Sequence, residues 1–186
     1  GRMILQGLRE SALQEVLVIA AGLSIQDPRE RPMDQKEAAE LAHKRFQHPQ
    51  SDFVALLNIW NAYHDQFDAQ ATQGQTRRFC KSHFLSYMRM REWRDVHSQL
   101  MEAVRSVDLL ATYTVRLPDN LELTPPPDGK LTEAKYNSIH RAILSGLLGH
   151  VAHREDRNTY KVSGGRESLI FPGSGLHDRR PPNPKR

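Results

Sequence analysis

Apolar residues recur along the first two-thirds of the chain at the three- and four-residue spacing of helix faces. Leu13, Val16, Leu17 and Ala20 mark one face, and Val18, Ile19 and Ala21 fill the other side. This predicts a helix buried nearly all round, ending near Gly22 to Ser24. Pro28 and Pro32 break it, because proline cannot sit inside a helix. Asp34 followed by Glu37 has the spacing of a capping box, so a short helix is expected from Glu37 to Phe46. His48-Pro49-Gln50 reads as a turn and Ser51 as the N-cap of the next helix, whose apolar face is Phe53, Leu56, Leu57, Trp60, Tyr63 and Phe67.

Gly74 is expected to separate that helix from a basic stretch. Trp93, Val96, Leu100, Val104 and Val107 form a further stripe, with Arg91, Arg94, Asp95, Ser98 and Glu102 opposite. Arg116 to Gly129 reads as a loop, since Pro118 and the run Pro125-Pro126-Pro127 exclude helix. A last helix is expected from about Leu131 to Leu148. Beyond Gly149 the period changes. Tyr160 to Val162 and Ser168 to Phe171 are strand candidates split by Gly164-Gly165, with Tyr160 or Phe171 packed inward. The fold class is therefore mainly α, a helical bundle followed by a few antiparallel strands too short to close a sheet. The chain is expected to be a piece of a longer protein.

Composition narrows the function. The 186 residues contain one cysteine, Cys80, which excludes an internal disulfide and a cysteine-pair zinc site. No apolar run approaches the ~20 residues of a membrane span, and no signal-peptide pattern opens the chain, so the expected compartment is the cytoplasm and no membrane partner is expected. The net charge is +4, and all of it lies in the last 34 residues; residues 1–152 hold 18 basic and 18 acidic side chains. Within that neutral part, Arg77, Arg78, Lys81, Arg89, Arg91 and Arg94 face only Glu92, with Phe79, Phe84, Tyr87 and Trp93 between them. Cations interleaved with rings suit nucleic acid, because one holds phosphate and the other stacks on bases. The bland alternative is a solvated basic face of an amphipathic helix.

No motif supplies a catalytic mechanism, so no catalytic residue, cofactor site or metal site is assigned. The P-loop sequence G-x-x-x-x-G-K-[ST] and the zinc motif H-E-x-x-H are missing. His153-Arg154-Glu155 lacks the cysteine pair of nucleobase deaminases. His140, His150 and His153 have no cysteine or carboxylate cluster beside them and read as satisfied or exposed side chains. Pro172-Gly173-Ser174-Gly175 is one residue short of a G-x-S-x-G elbow. Cys80 reads as a structural cysteine.

Four stretches together resemble the helicase-associated region of DEAH-box RNA helicases. They are Leu17 through Gln26-Asp27-Pro28-Arg29-Glu30-Arg31-Pro32; Ser51-Asp52-Phe53 through Trp60; Arg78-Phe79-Cys80 with Phe84-Leu85-Ser86-Tyr87 and Gln99-Leu100; and Gly146-Leu147-Leu148 with Ile170-Phe171-Pro172-Gly173-Ser174-Gly175-Leu176. Arg89-Met90-Arg91-Glu92-Trp93 points to the bacterial HrpA-type branch. At Ser86 the family commonly has asparagine. The resemblance implies an order of parts: the tail of a winged-helix region (1–10), a ratchet-like helical bundle (11–148), the opening strands of an OB-fold (149–176) and a disordered basic tail (177–186).

The family activity is ATP-dependent unwinding or remodelling of RNA. ATP and magnesium would be bound by motor domains outside this chain, which itself lacks the ATPase motifs. The resemblance makes single-stranded RNA and those motor domains the expected partners of a monomeric chain forming one wall of an RNA channel. The candidate contacts are Ser51, Asp52, Asn58, Arg77, Arg78, Lys81, Tyr87, Arg89, Arg91 and Arg94. For Asp52 and Asn58 the competing roles are helix-dipole stabilisation and an internal hydrogen bond. Trp60 and Trp93 are expected in the core. The alternative function is a module that docks a protein regulator without touching RNA.

Overall fold

The computed structural model describes residues 1–65, 72–106, 131–162 and 164–177. Its helices are α1 (Arg2–Arg9), α2 (Leu13–Leu23), α3 (Lys36–Lys44), α4 (Asp52–Asp65), α5 (Gln73–Ser82), α6 (Tyr87–Ser106) and α7 (Glu133–Gly146). Short 3-10 turns precede α3 (Met33–Gln35) and follow α7 (Leu148–His150). Three strands close the described chain: β1 (Ala152–Arg154), β2 (Thr159–Val162) and β3 (Glu167–Leu169). The mainly-α class is as expected, with a small antiparallel sheet in the order β1-β2-β3.

The bundle is organised around α2, whose seven buried residues account for its all-round apolar pattern. It packs on α1, α4, α6 and α7. Trp93 of α6 is fully buried against it, and its indole Nε1–H donates to the Val18 carbonyl at 2.9 Å. That bond satisfies the one polar atom the ring takes out of water. Gly22 makes the approach possible, since a Cβ there would stand 2.7 Å from the Trp93 ring. Leu56, Leu57 and Ile59 of α4 join the same core, and Trp60 and Leu100 pack at its margin. Leu13 and Leu17 form a smaller cluster with Met101 and Val104. Residues 2–9, expected as a winged-helix tail, form α1, which packs chiefly on α7 and is tied there by the Arg141–Glu10 ion pair at 2.7 Å.

Local expectations fare unevenly. Ser51 caps α4 as read, its hydroxyl accepting the Val54 N–H at 3.2 Å. Asp34 does not cap α3: the helix is entered through the 3-10 turn and Gln35, with no side-chain cap. Gly74 is no separator either, for it lies inside the first turn of α5. The start signal there is Thr72, which forms a reciprocal capping box with Gln75. Strand β1 went unread because Ala-His-Arg has no apolar alternation, and its three residues are all exposed. Gly164 and Gly165 do make the β2–β3 turn, at φ +87° and +77°, values that favour glycine. Of the two rings expected to face inward, Tyr160 is half-buried and Phe171 is 62% exposed. Phe67, Val107, the 116–129 loop and the tail from 178 lie outside the described residues.

Candidate nucleic-acid interface

The spacing of α5 sorts its side chains cleanly. Thr76, Phe79 and Cys80 are buried, leaving Arg77, Arg78 and Lys81 exposed on the opposite face. Arg77 and Lys81 are one turn apart, as are Arg78 and Lys81, so the three cations share one surface. Cys80 is held as a thiol, its pKa pushed up to about 11 by burial. It contributes packing and no nucleophile.

Helix α5 ends in a tight corner. Phe84 adopts φ +51°, and residues 84–86 turn back to pair with residues 28–30. The Glu30 N–H donates to the Phe84 carbonyl and the Ser86 N–H to the Pro28 carbonyl, each at 2.8 Å. His43 of α3, itself buried, donates from Nε2 to the same Phe84 carbonyl at 2.9 Å. Two sequence stretches read separately, Asp27-Pro28-Arg29-Glu30 and Phe84-Leu85-Ser86, are therefore one structural seam. Asp27 closes it from outside. Burial opposes its ionisation, yet the Arg29 guanidinium, bonded at 2.7–3.1 Å, holds its carboxyl below the usual range.

The ten candidate residues separate along this seam. Arg77 lies over the Tyr87 ring, 5.1 Å from its centroid, joining the α5 face to the start of α6. Arg91 and Arg94 are exposed one turn apart on α6, and Arg94 lies beside the buried Tyr63 phenol. Arg78, Lys81 and Arg91 form no ion pair with any described residue. Arg89, by contrast, is half-buried and donates to the Asp27 carbonyl at 3.0 Å. Asn58 donates to the Phe46 carbonyl at 3.0 Å.

Ser51 is 3% exposed, and its hydroxyl donates to His140 Nε2 at 2.7 Å; the His140 Nδ1–H is held on the Tyr136 carbonyl. Asp52 accepts from the Ser174 hydroxyl at 2.6 Å and from the Gly175 N–H at 3.0 Å. Trp60 is not available for base stacking: His64 stacks on it at 4.2 Å and His97 lies 4.7 Å away.

Sequence reading missed three participants. Arg45 extends the basic surface from the end of α3, donating to His83 Nε2 at 2.7 Å. Arg31 sits over the Phe171 ring at 5.4 Å and, with Lys44, lines a cleft of about 240 Å³ beside α3. Their only signal was charge near a motif, which does not tell a surface residue from a lining one. Among the described residues no cluster of three or more histidine, cysteine or acidic side chains is placed to hold a metal ion. None of the described helices is long and apolar enough to cross a membrane.

Residues 1–56, from α1 through the start of α4, match the family model "Helicase associated domain (HA2), ratchet-like". The similarity continues beyond that match. Over 181 residues the chain is 37% identical to the ATP-dependent RNA helicase HrpA of Escherichia coli (strain K12), covering 97% of this chain and 12% of that protein. It is 36% identical over 181 residues to the HrpA homolog of Haemophilus influenzae, with the same coverage. The probable ATP-dependent RNA helicase DHX35 of Homo sapiens is 26% identical over 182 residues, 97% of this chain and 22% of that protein. The chain thus corresponds to the C-terminal, helicase-associated region of an HrpA-type DEAH-box helicase. It spans 12% of the length of the HrpA relatives it matches.

Proposed function

We propose that this chain forms one wall of a single-stranded RNA channel in an ATP-dependent RNA helicase, gripping phosphates while motor domains elsewhere in the same polypeptide bind ATP and magnesium and do the work of unwinding. The observation that carries this is the set of exposed cations on adjoining faces of α5 and α6, joined through the Arg77–Tyr87 contact. Exposed cations are what backbone grip requires, since phosphate contact depends on charge and not on base identity. The grip is assigned to Arg77, Arg78, Lys81, Arg91 and Arg94. Ser51, Asn58 and Arg89 serve the fold that presents them.

The test is reversal of Arg78 and Lys81 to glutamate in the full-length helicase. The expected result is at least a tenfold loss of affinity for unstructured RNA, with RNA-stimulated ATP turnover lost in parallel. Unchanged affinity and turnover would mean that this face is merely solvated, and would favour the docking of a protein regulator as the role of the region.

A further inference from the structure

The segment Phe171-Pro172-Gly173-Ser174-Gly175, one residue short of a catalytic elbow, is bonded directly to the start of α4. Both oxygens of the Asp52 carboxylate are used on it, one by the Ser174 hydroxyl and one by the Gly175 N–H. A Cβ on Gly175 would run into the His48 carbonyl, so only glycine brings that N–H within reach. A Cβ on Gly173 would stand 2.8 Å from the Arg31 guanidinium. The loop is in turn fixed to the sheet: the Ile170 N–H donates to the Asn158 carbonyl at 2.9 Å, and the Asn158 side-chain amide meets His177 Nε2 at 3.3 Å. On the other side of the same two-residue step, Ser51 binds His140, and the Tyr136 hydroxyl donates to the Gln50 carbonyl at 3.1 Å.

We propose that Ser51-Asp52 is the joint of the molecule: Ser51 fastens α7 to the start of α4, and Asp52 fastens the 171–176 loop, and with it the sheet, to the same point. Asp52 is a positioning residue, holding the strand region in register with the basic wall without touching RNA itself. A short planar group with two polar atoms is what the place requires, because one side chain must meet both the Ser174 hydroxyl and the Gly175 N–H. The functional half of this proposal rests on the RNA-channel reading; the structural half does not.

The experiment uses Asp52→Ala, Asp52→Asn, Ser174→Ala, the Asp52→Ala/Ser174→Ala double variant and Gly175→Ala in the full-length helicase, with two readouts. The first is amide hydrogen exchange. Asp52→Ala and Gly175→Ala should each raise exchange at residues 174–176 at least tenfold while leaving α4 beyond its first turn unchanged. Ser174→Ala should speed exchange at Leu176, whose N–H donates to the Ser174 hydroxyl at 3.0 Å, and at Gly175 the double variant should exchange no faster than Asp52→Ala. Asp52→Asn should behave like the wild type, since its carbonyl still accepts from Gly175 and its amide donates to a rotated Ser174 hydroxyl. Gly175→Ala changes no residue of α4 and keeps both the Ser51 cap and the Asp52 carboxylate, so it tests the joint even if Asp52→Ala disturbs the helix start.

The second readout is the RNA concentration that half-stimulates ATP turnover, which should rise several-fold in Asp52→Ala and Gly175→Ala and be restored in Asp52→Asn. Were Asp52 facing RNA, Ala and Asn would tighten binding alike, by removing the same negative charge, and Gly175→Ala would be silent. That pattern, or exchange at 174–176 unmoved by Asp52→Ala, overturns the proposal. Failure of the wild type to bind RNA would overturn the channel reading, and the exchange result would still decide the joint.

Discussion

His97 shows how a single side chain can set the pH range of the fold. It is 4% exposed, it packs against Trp60 at 4.7 Å, and its Nε2 has no partner among the described residues. Burial, helped by nearby His64, drives its pKa down from 6.5 to about 4, so the folded protein holds it neutral. Between pH 6.5 and 4 the unfolded chain takes up a proton that the folded chain refuses, and stability falls as pH drops through that window. Burial lowers the pKa of His43 as well, which adds slope of the same sign. Thermal melts should therefore show a Tm declining from pH 7 to pH 4, and His97→Phe, which keeps an apolar ring in place, should flatten the decline without abolishing it. A Tm in His97→Phe with the same pH dependence as the wild type would refute the assignment.

At the scale of elements, helix approach is set by particular contacts more than by hydrophobic content. Helices α2 and α6 meet where Gly22 faces Trp93, and the indole has no room to move, being fully buried and bonded to Val18. Gly22→Ala would gain something in helix propensity, but less than usual so near the end of α2. Against that stands overpacking, which costs about 1–3 kcal/mol. The expected outcome is a net loss of roughly 1–2 kcal/mol, seen as a lower urea midpoint with an unchanged m-value. Equal or greater stability would show that the two helices are not clamped at this point.

The same scale explains what could be read in advance. The helices of the bundle were legible because each buries a stripe, and a stripe is a local, periodic signal: Leu56, Leu57 and Trp93 are buried as their spacing requires. Entry signals were less so, because Asp34 matches a pattern that the 3-10 turn at Met33–Gln35 overrides. The joint at Ser51-Asp52 was not legible at all. It depends on partners 89 and 122 residues away, His140 and Ser174, and no periodicity links positions so far apart. Side chains that looked like RNA contacts by type, Asn58 and Arg89 among them, are turned inward by bonds to backbone carbonyls, which composition cannot reveal.

At the scale of the whole molecule, residues 1–152 carry no formal net charge and the surplus of +4 lies in residues 153–186, so the proposed grip of the bundle on RNA rests on how its charges are arranged. Fold and ion pairs provide that arrangement. Arg29 is neutralised by Asp27 and Arg141 by Glu10, while Arg78, Lys81 and Arg91 are left to the surface with no ion pair to any described residue. Such cations release counterions from single-stranded RNA on binding, and each phosphate contact contributes about 0.7 to the slope of log affinity against log salt. The most direct measurement is that slope for unstructured RNA on the full-length helicase, comparing the wild type with an Arg78→Gln/Lys81→Gln variant. The slope should fall in magnitude by about 1.4, two contacts' worth, with affinity converging on the wild type at high salt. An unchanged slope after loss of both charges would contradict the account, because it would mean that the basic face of α5 does not meet the RNA.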